Sequence, residues 1–476
     1  MSQSLSLSPS IITRLSLAGR AELLGIKFGP ITVFLLAHIA IAPALRRMAA
    51  LALVHVAIVI VLGLWWAVTK RENIIRVAYI GAYITGAEVL WRMAQTPIPW
   101  EFGKYATVLI FIVAILRHQL FKIPILPLLF FVPLTFSIPF TIEGAYGGTA
   151  RGIISFYISG PLALFCCAWF FSQIKLSQEQ LKRMVIALIA PILSIGTATL
   201  FVILTAESIR FDTESNRMAS GGFAPNQVSA VLGLGMFLSL LCVLSGQLSK
   251  PLRIVLFVVT IFLGIQGALT FSRGGLFTGF AAILVAFFYL SRNRRALLTN
   301  LLISILLFGI VNYIVLPQLD AFTGGAITER FQKTSLTGRD ELIRDELEIF
   351  LNYPALGVGP GMSEYYHYKF RVGSHTEYSR LLAEHGLFGL SSILILLVSI
   401  WLNLRKEHTN LGKAIVASFS LWSLLFMSSA AMRLVAPAFI FGVGFATILP
   451  GERSRFQLVL QRLQQLRKRL TRQRII

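Results

Sequence analysis

Two short stretches of this chain carry side chains suited to chemistry. The first is LTFSRGGLF, in which Arg273 stands between Ser272 and the pair Gly274 and Gly275, where one apolar run ends and the next begins. Glycine permits close approach, and a helix starting at once aims its unpaired N–H groups at the same spot. A guanidinium at lipid-headgroup depth can hold two oxygens of a phosphate or diphosphate in its planar fork. The plainer alternative is an arginine that snorkels to lipid phosphates. The second stretch is SHTEYSRLLAEHGLFGL, beginning at Ser374. Ser374 and Glu377 have the S-x-x-E form of a capping box, Tyr378, Leu381, Leu382 and His385 follow at helical spacing, and Gly386 allows a break. That reading puts His375 in the first helical turn, beside the positive end of the dipole. A cation is disfavoured there, so the imidazole stays neutral and able to accept a proton. A histidine that merely bonds a loop is the alternative.

The elements that must position these residues follow from composition. The chain has 476 residues, 56% hydrophobic and 13% charged, with mean hydropathy +0.75. Uncharged runs recur at the ~20-residue length that crosses a bilayer. The expected fold is all-α, a polytopic helical bundle of about 12–14 spans with one long loop containing short helices. Fourteen candidate spans lie near 28–45, 49–68, 73–91, 104–117, 120–140, 153–173, 184–204, 228–246, 252–271, 275–290, 298–316, 386–403, 413–430 and 434–449, the fourth and the last being short. Four regions result: an N-terminal bundle at 1–316, the loop at 317–385, C-terminal helices at 386–449 and a tail at 450–476.

The long loop holds 10 of the 21 acidic residues and only 7 of the 43 basic ones, in a protein of formal charge +22. It is no generic basic patch, so its arginines have individual jobs. In its first half, Thr337 and Asp340 open a helix whose apolar face is Leu342, Leu347, Phe350 and Leu351, ended by Pro354 and the glycines of GVGPG. With the N-terminus in the cytoplasm, 27 Lys and Arg fall on the cytoplasmic side and 9 in the short opposite loops. That is the positive-inside pattern, and it puts the long loop outside the cytoplasm. Much of the positive charge is therefore topology, and nucleic acid is not an expected partner. The tail carries an apolar stripe (Phe456, Val459, Leu460, Leu463) among arginines and reads as an amphipathic helix on anionic membrane lipid. The N-terminus lacks a signal-peptide layout and is expected to stay on the mature chain. Cys166, Cys167 and Cys242 all lie in apolar runs and suggest neither disulfide nor metal spacing.

Other polar features are few. Glu88 is the one acidic residue well inside a span, with Arg76 near the start of the same segment. Such a charge is either a functional group or the neutralising partner of a nearby arginine. The loop AESIRFDTESNRMASGGFAPNQ offers Arg217 and Asn226 at the membrane edge as supporting candidates, alongside Glu377 and Arg380 in the second motif. No internal repeat is evident and intramembrane carboxylates are scarce, which weighs against an ion-coupled carrier.

The ensemble of many spans, TFSRGG at a span junction and a long loop with TGRDEL, GVGPG and SHTEYSRLLAEHGLFG resembles the O-antigen ligase and O-antigen polymerase superfamily. The likeness is detailed over about 220–400. It implies a glycosyltransferase of the bacterial inner membrane, working on the extracytoplasmic face. Such enzymes move oligosaccharide from an undecaprenyl-diphosphate carrier to a saccharide or lipid acceptor, without metal or cofactor. By resemblance Arg273 and Arg339 bind the donor diphosphate and His375 activates the acceptor hydroxyl, with polysaccharide assembly proteins as further partners. Thr376 stands where many relatives carry asparagine, which leaves a role for that side chain in doubt. The wording of HTEYSRLLAEHG favours an exopolysaccharide or O-antigen polymerase over a ligase. The chemistry agrees: a departing lipid diphosphate calls for cationic donors, and a sugar hydroxyl for a neutral base. No aspartate cluster with metal-ligand spacing lies near these positions. The competing reading is a transporter or lipid-linked-glycan flippase.

Overall fold

Lipid offers no partner to a peptide group, so an apolar chain must pair its backbone within its own helices. The computed structural model describes residues 21–23, 26–145, 149–246, 248–332, 339–367 and 373–451. The helices in chain order are α1 (Pro30–Arg47), α2 (Ala49–Val68), α3 (Ile74–Met93), α4 (Phe102–Arg117), α5 (Ile125–Gly144), α6 (Ala150–Ser172), α7 (Gln178–Thr205), α8 (Pro225–Leu244), α9 (Lys250–Leu269), α10 (Arg273–Leu290), α11 (Arg294–Thr323), α12 (Ala326–Gln332), α13 (Arg339–Asn352), α14 (Glu377–Lys406), α15 (Asn410–Ala430) and α16 (Ala436–Val443). Among the described residues, twelve are long and apolar enough to cross a membrane. The chain is a polytopic all-α membrane protein. Helices α4 and α16 fall outside that group, at 16 and 8 residues. They are the fourth and last of the spans expected from sequence, the two marked as short. Besides the helices, the described residues form two small strand pairs, β1 (Ala21–Leu23) antiparallel to β2 (Ile26–Phe28), and β3 (Lys175–Leu176) parallel to β4 (Thr447–Ile448).

Helix α8 is the centre of the bundle, 94% of its membrane-length window being buried. It packs on α7, α9 and α10, and α10 packs in turn on α15. Close approach of α8 and α10 depends on Gly275: a Cβ there would stand 2.1 Å from the Ser229 carbonyl oxygen. The second glycine of SRGG therefore seats the start of α10 directly against the start of α8. Helix α11 is the opposite case, with 6% of its window buried. A π-helical turn at Val311–Val315 interrupts it just ahead of Pro317. The proline ring would clash with the carbonyl four residues back, and widening the turn there relieves the clash.

The outer segment after α11 is fixed by a break in α14. Gly386 has φ 59° and ψ −133° within the helix. A Cβ at that position would meet the Pro354 carbonyl oxygen at 2.3 Å. The break frees the carbonyls of Ala383 and Glu384, which accept from the N–H groups of Val358 (3.1 Å) and Gly359 (3.0 Å), while Leu387 N–H donates to Pro354 O at 2.8 Å. The GVG stretch thus replaces the helical partners lost at the kink.

Two expectations for this segment need correction. The buried side of α13 is Leu342, Glu346 and Ile349, whereas Leu347 and Leu351 are exposed. A carboxylate occupies the inward stripe because two serines of the following motif meet it there, as described below. The helix after that motif starts at Glu377 with Thr376 as its N-cap, not with Ser374. Thr337 and the tail from residue 452 lie outside the described residues.

The orientation read from basic residues gives a direct test. A cysteine at exposed Thr328, beyond buried Thr323 in the long loop, should label with an impermeant thiol reagent from outside. A cysteine at exposed Ser249, between α8 and α9, should label only after permeabilisation. Labelling of both from one side would refute the assignment.

Candidate active site

Arg273 is the first residue of α10, and the turn before it is strained. Phe271 is fully buried with φ 56°, a left-handed conformation that costs a non-glycine residue about 1–3 kcal/mol. Its ring stacks on Phe211 at 5.5 Å. The strain is held from several sides. Arg330 of α12 donates through Nε to Phe271 O (2.9 Å) and through Nη1 to Thr213 O (2.7 Å). Arg273 Nη1 returns a bond to Arg330 O at 3.3 Å. Ser229 Oγ donates to Ser272 O at 2.5 Å, and Ser272 Oγ donates to Asn226 Oδ1 at 2.9 Å. Ser272, although the N-cap residue, makes no side-chain cap bond. Asn226 thus engages the residue beside Arg273. Arg217 is exposed, its Nε donating to Gly222 O of its own loop at 3.1 Å.

His375 is half-buried and lies one residue before the N-cap, outside the helix rather than in its first turn. The dipole acts mainly on the first turn, so its hold on the imidazole is weaker than the capping-box reading supposed. The cap goes to Thr376, whose Oγ1 accepts from Ser379 N at 3.2 Å. Asparagine, which the resemblance gives here, is an equally good cap. Ser374 is unavailable because its hydroxyl donates to Glu346 Oε1. Glu377 is not a capping partner either. It binds Arg380 and accepts from Met432 N at 3.1 Å. Arg380 reaches Glu384 on its other side, Nη1 to Oε2 at 2.5 Å, and Ser363 Oγ donates to Glu384 Oε1 at 3.0 Å. Arg380, Glu377 and Glu384 are each 1% exposed or less. They staple the first turns of α14 to neighbouring loops, and neither glutamate presents a free carboxylate to a substrate.

A polar network joins the two motifs. The loop between α15 and α16 contains Arg433, whose Nη2 donates to the carbonyls of Gly373 (3.2 Å) and Ser374 (3.0 Å), immediately before His375. The Arg433 carbonyl accepts from Arg92 Nη2 at 3.3 Å. Arg92 also reaches Gln227 Oε1 of α8 at 2.8 Å, next in sequence to Asn226. Glu88 pairs with Arg92 at 2.6 Å and caps the start of α16 by accepting from Val435 N at 2.8 Å. The intramembrane carboxylate therefore does neutralise a nearby arginine, Arg92, four residues on in the same helix. Arg76 stacks on Trp66 at 5.7 Å instead. The start of α10 also packs on the end of α15, a Cβ on Gly274 lying 3.8 Å from Ser429 Oγ. Arg273 and His375 thus stand at the same end of the bundle, joined through Asn226–Gln227, Arg92 and Arg433. Arg339 opens α13 at that end, and its side chain lies outside the description.

Sequence reasoning missed Arg92, Arg330, Glu346 and Arg433. Only Glu346 carried a signal, as it falls four residues after Leu342 and three before Ile349 on one helical stripe. The others are ordinary loop or helix-end residues until the fold brings them together.

Below Arg273 an apolar groove of about 700 Å³ runs between α11 and the α9–α10 pair. Ile265, Phe277, Phe280 and Phe308 line it, and Phe331 of α12, next to Arg330, closes the end near Arg273.

These features define a multi-pass membrane protein whose polar site, built from buried arginines and carboxylates, sits at the loop end of the bundle. Residues 256–394 match the model of the O-antigen ligase family, a stretch that takes in Arg273, α13 and His375. Over that stretch the chain is similar to O-antigen ligases. No curated protein matches the chain.

Proposed function

We propose that the protein transfers or polymerises oligosaccharide units from an undecaprenyl-diphosphate carrier, on the extracytoplasmic face of the bacterial inner membrane. The observation that carries this reading is the juxtaposition of Arg273 with the apolar groove. A guanidinium near one end of an open apolar groove suits a headgroup with two phosphates and a polyisoprenyl tail. Arg273 and Arg339 bind the diphosphate, and His375 is the general base. As the acceptor oxygen attacks the anomeric carbon, its proton passes to the imidazole. The bond from that carbon to the phosphate oxygen breaks, and the lipid diphosphate leaves with its charge held by the arginines. Exopolysaccharide or O-antigen repeats are the favoured substrates, with the growing chain as acceptor.

Purified protein in vesicles without any ion gradient should extend or transfer glycan from a lipid-diphosphate donor and release the carrier diphosphate. Movement of intact lipid-linked glycan across the bilayer without transfer would favour the flippase reading instead.

A further inference from the structure

We propose that Glu346 is the positioning residue for His375, its carboxylate gripping the chain on both sides of the imidazole. The inference rests on the reading of His375 as the base. Ser374, directly before the histidine, donates its hydroxyl to Glu346 Oε1. Ser379, in the first turn of α14, donates to Glu346 Oε2 at 2.5 Å. Ser379 in turn meets the Thr376 hydroxyl at 2.5 Å, so the residue after His375 is tied into the same cluster. One carboxylate on α13 thereby holds the residue before His375 directly and the residue after it through Ser379.

Burial separates this arrangement from an incidental contact. Glu346 is 1% exposed, Ser374 2% and Ser379 5%, while His375 between them remains half-buried. Removing a carboxylate from water costs several kcal/mol, and burial pushes its pKa up even though both serine hydroxyls and His367 act to lower it. An apolar residue would fill this stripe of α13 at lower cost, as Leu342 and Ile349 do on either side. What a carboxylate adds is two directed acceptors. The opposite side of the segment is held by Arg433 through the Gly373 and Ser374 carbonyls. The backbone before His375 is thus clamped by an arginine, and the side chains around it by a glutamate. His367 Nε2 lies 3.8 Å from Glu346 Oε1, too far for a hydrogen bond.

The test measures glycan transfer from a lipid-diphosphate donor by the purified, membrane-reconstituted protein. Losing the grip should misplace the base by about an ångström, so Glu346→Ala should lower kcat about 100-fold with KM for the donor nearly unchanged. Glu346→Leu fills the space without offering an acceptor and should show the same kcat loss in well-folded protein. Glu346→Gln keeps one oxygen for the first serine and an N–H for the second, whose hydroxyl can turn to accept it. It should recover to within about tenfold of the unaltered protein. In a His375→Ala background, adding Glu346→Ala should change the residual rate by less than about twofold, because a residue acting through another is not additive with it. A full multiplicative loss in that background would overturn the positioning role while leaving the base reading intact. So would normal kcat with raised KM in Glu346→Leu. Full transfer by His375→Ala alone would sink the base reading and this proposal with it.

Discussion

Replacing His375 with alanine should abolish glycan transfer while the protein stays inserted and still binds its lipid donor. The side chain is half-buried in a segment held by other residues, since Arg433 grips the preceding carbonyls and Thr376 caps α14. Losing a positioned base typically removes a factor of about 10²–10⁴ in rate. The informative comparison is Glu384→Ala, at a carboxylate of the same motif. Glu384 is fully buried and bonded to Arg380 and Ser363. Its removal leaves a buried guanidinium short of one partner, which costs about 3–5 kcal/mol and should appear as lost folded protein. His375→Ala should therefore fail in transfer with normal yield, and Glu384→Ala in yield. Full transfer by His375→Ala, or a defect confined to donor binding, would refute the assignment.

The second large effect is expected at Arg273. Arg273→Ala should weaken donor use by about 2–4 kcal/mol of transition-state stabilisation, by analogy with losing a preorganised donor to a developing anion. Arg273→Lys should be impaired as well, because an ammonium keeps the charge but not the two-pronged contact. Geometry sharpens the case for arginine. One Nη bonds the Arg330 carbonyl, which orients the fork, and the strained turn at Phe271 sets where α10 begins. Arg339→Ala should do at least as much damage if that side chain reaches the same headgroup. The readouts are transfer and donor binding, measured separately at matched protein levels. Near-normal activity of Arg273→Ala would return this residue to snorkelling among lipid phosphates.

Much of the architecture was legible from sequence because its cause is local and repetitive. An uncharged run of about twenty residues has one stable solution in a bilayer, so the spans, the long loop and the two short helices could be placed without tertiary knowledge. Gly386 was readable as a break, and the SRGG glycines as a point of close approach, since each needs only the absence of a Cβ. Arg273 and His375 could be singled out as candidates, each from its own neighbours.

What the tertiary structure decided is which groups meet across long separations. Ser374 was a plausible helix cap by spacing, yet Glu346, 28 residues earlier, takes its hydroxyl and the cap passes to Thr376. Glu377 matched a capping box and instead forms an ion pair with Arg380, buried against the backbone of Met432, 55 residues away. The inward face of α13 could not be chosen from apolar periodicity, because the stripe that packs contains a carboxylate satisfied only by residues outside the helix. That Glu88 neutralises a nearby arginine was readable from sequence, but its bond to Val435 N spans 347 residues and was not. Apolar periodicity reports only that a side chain leaves water. A buried polar group must also find a partner of matching geometry, and the folded chain alone supplies it.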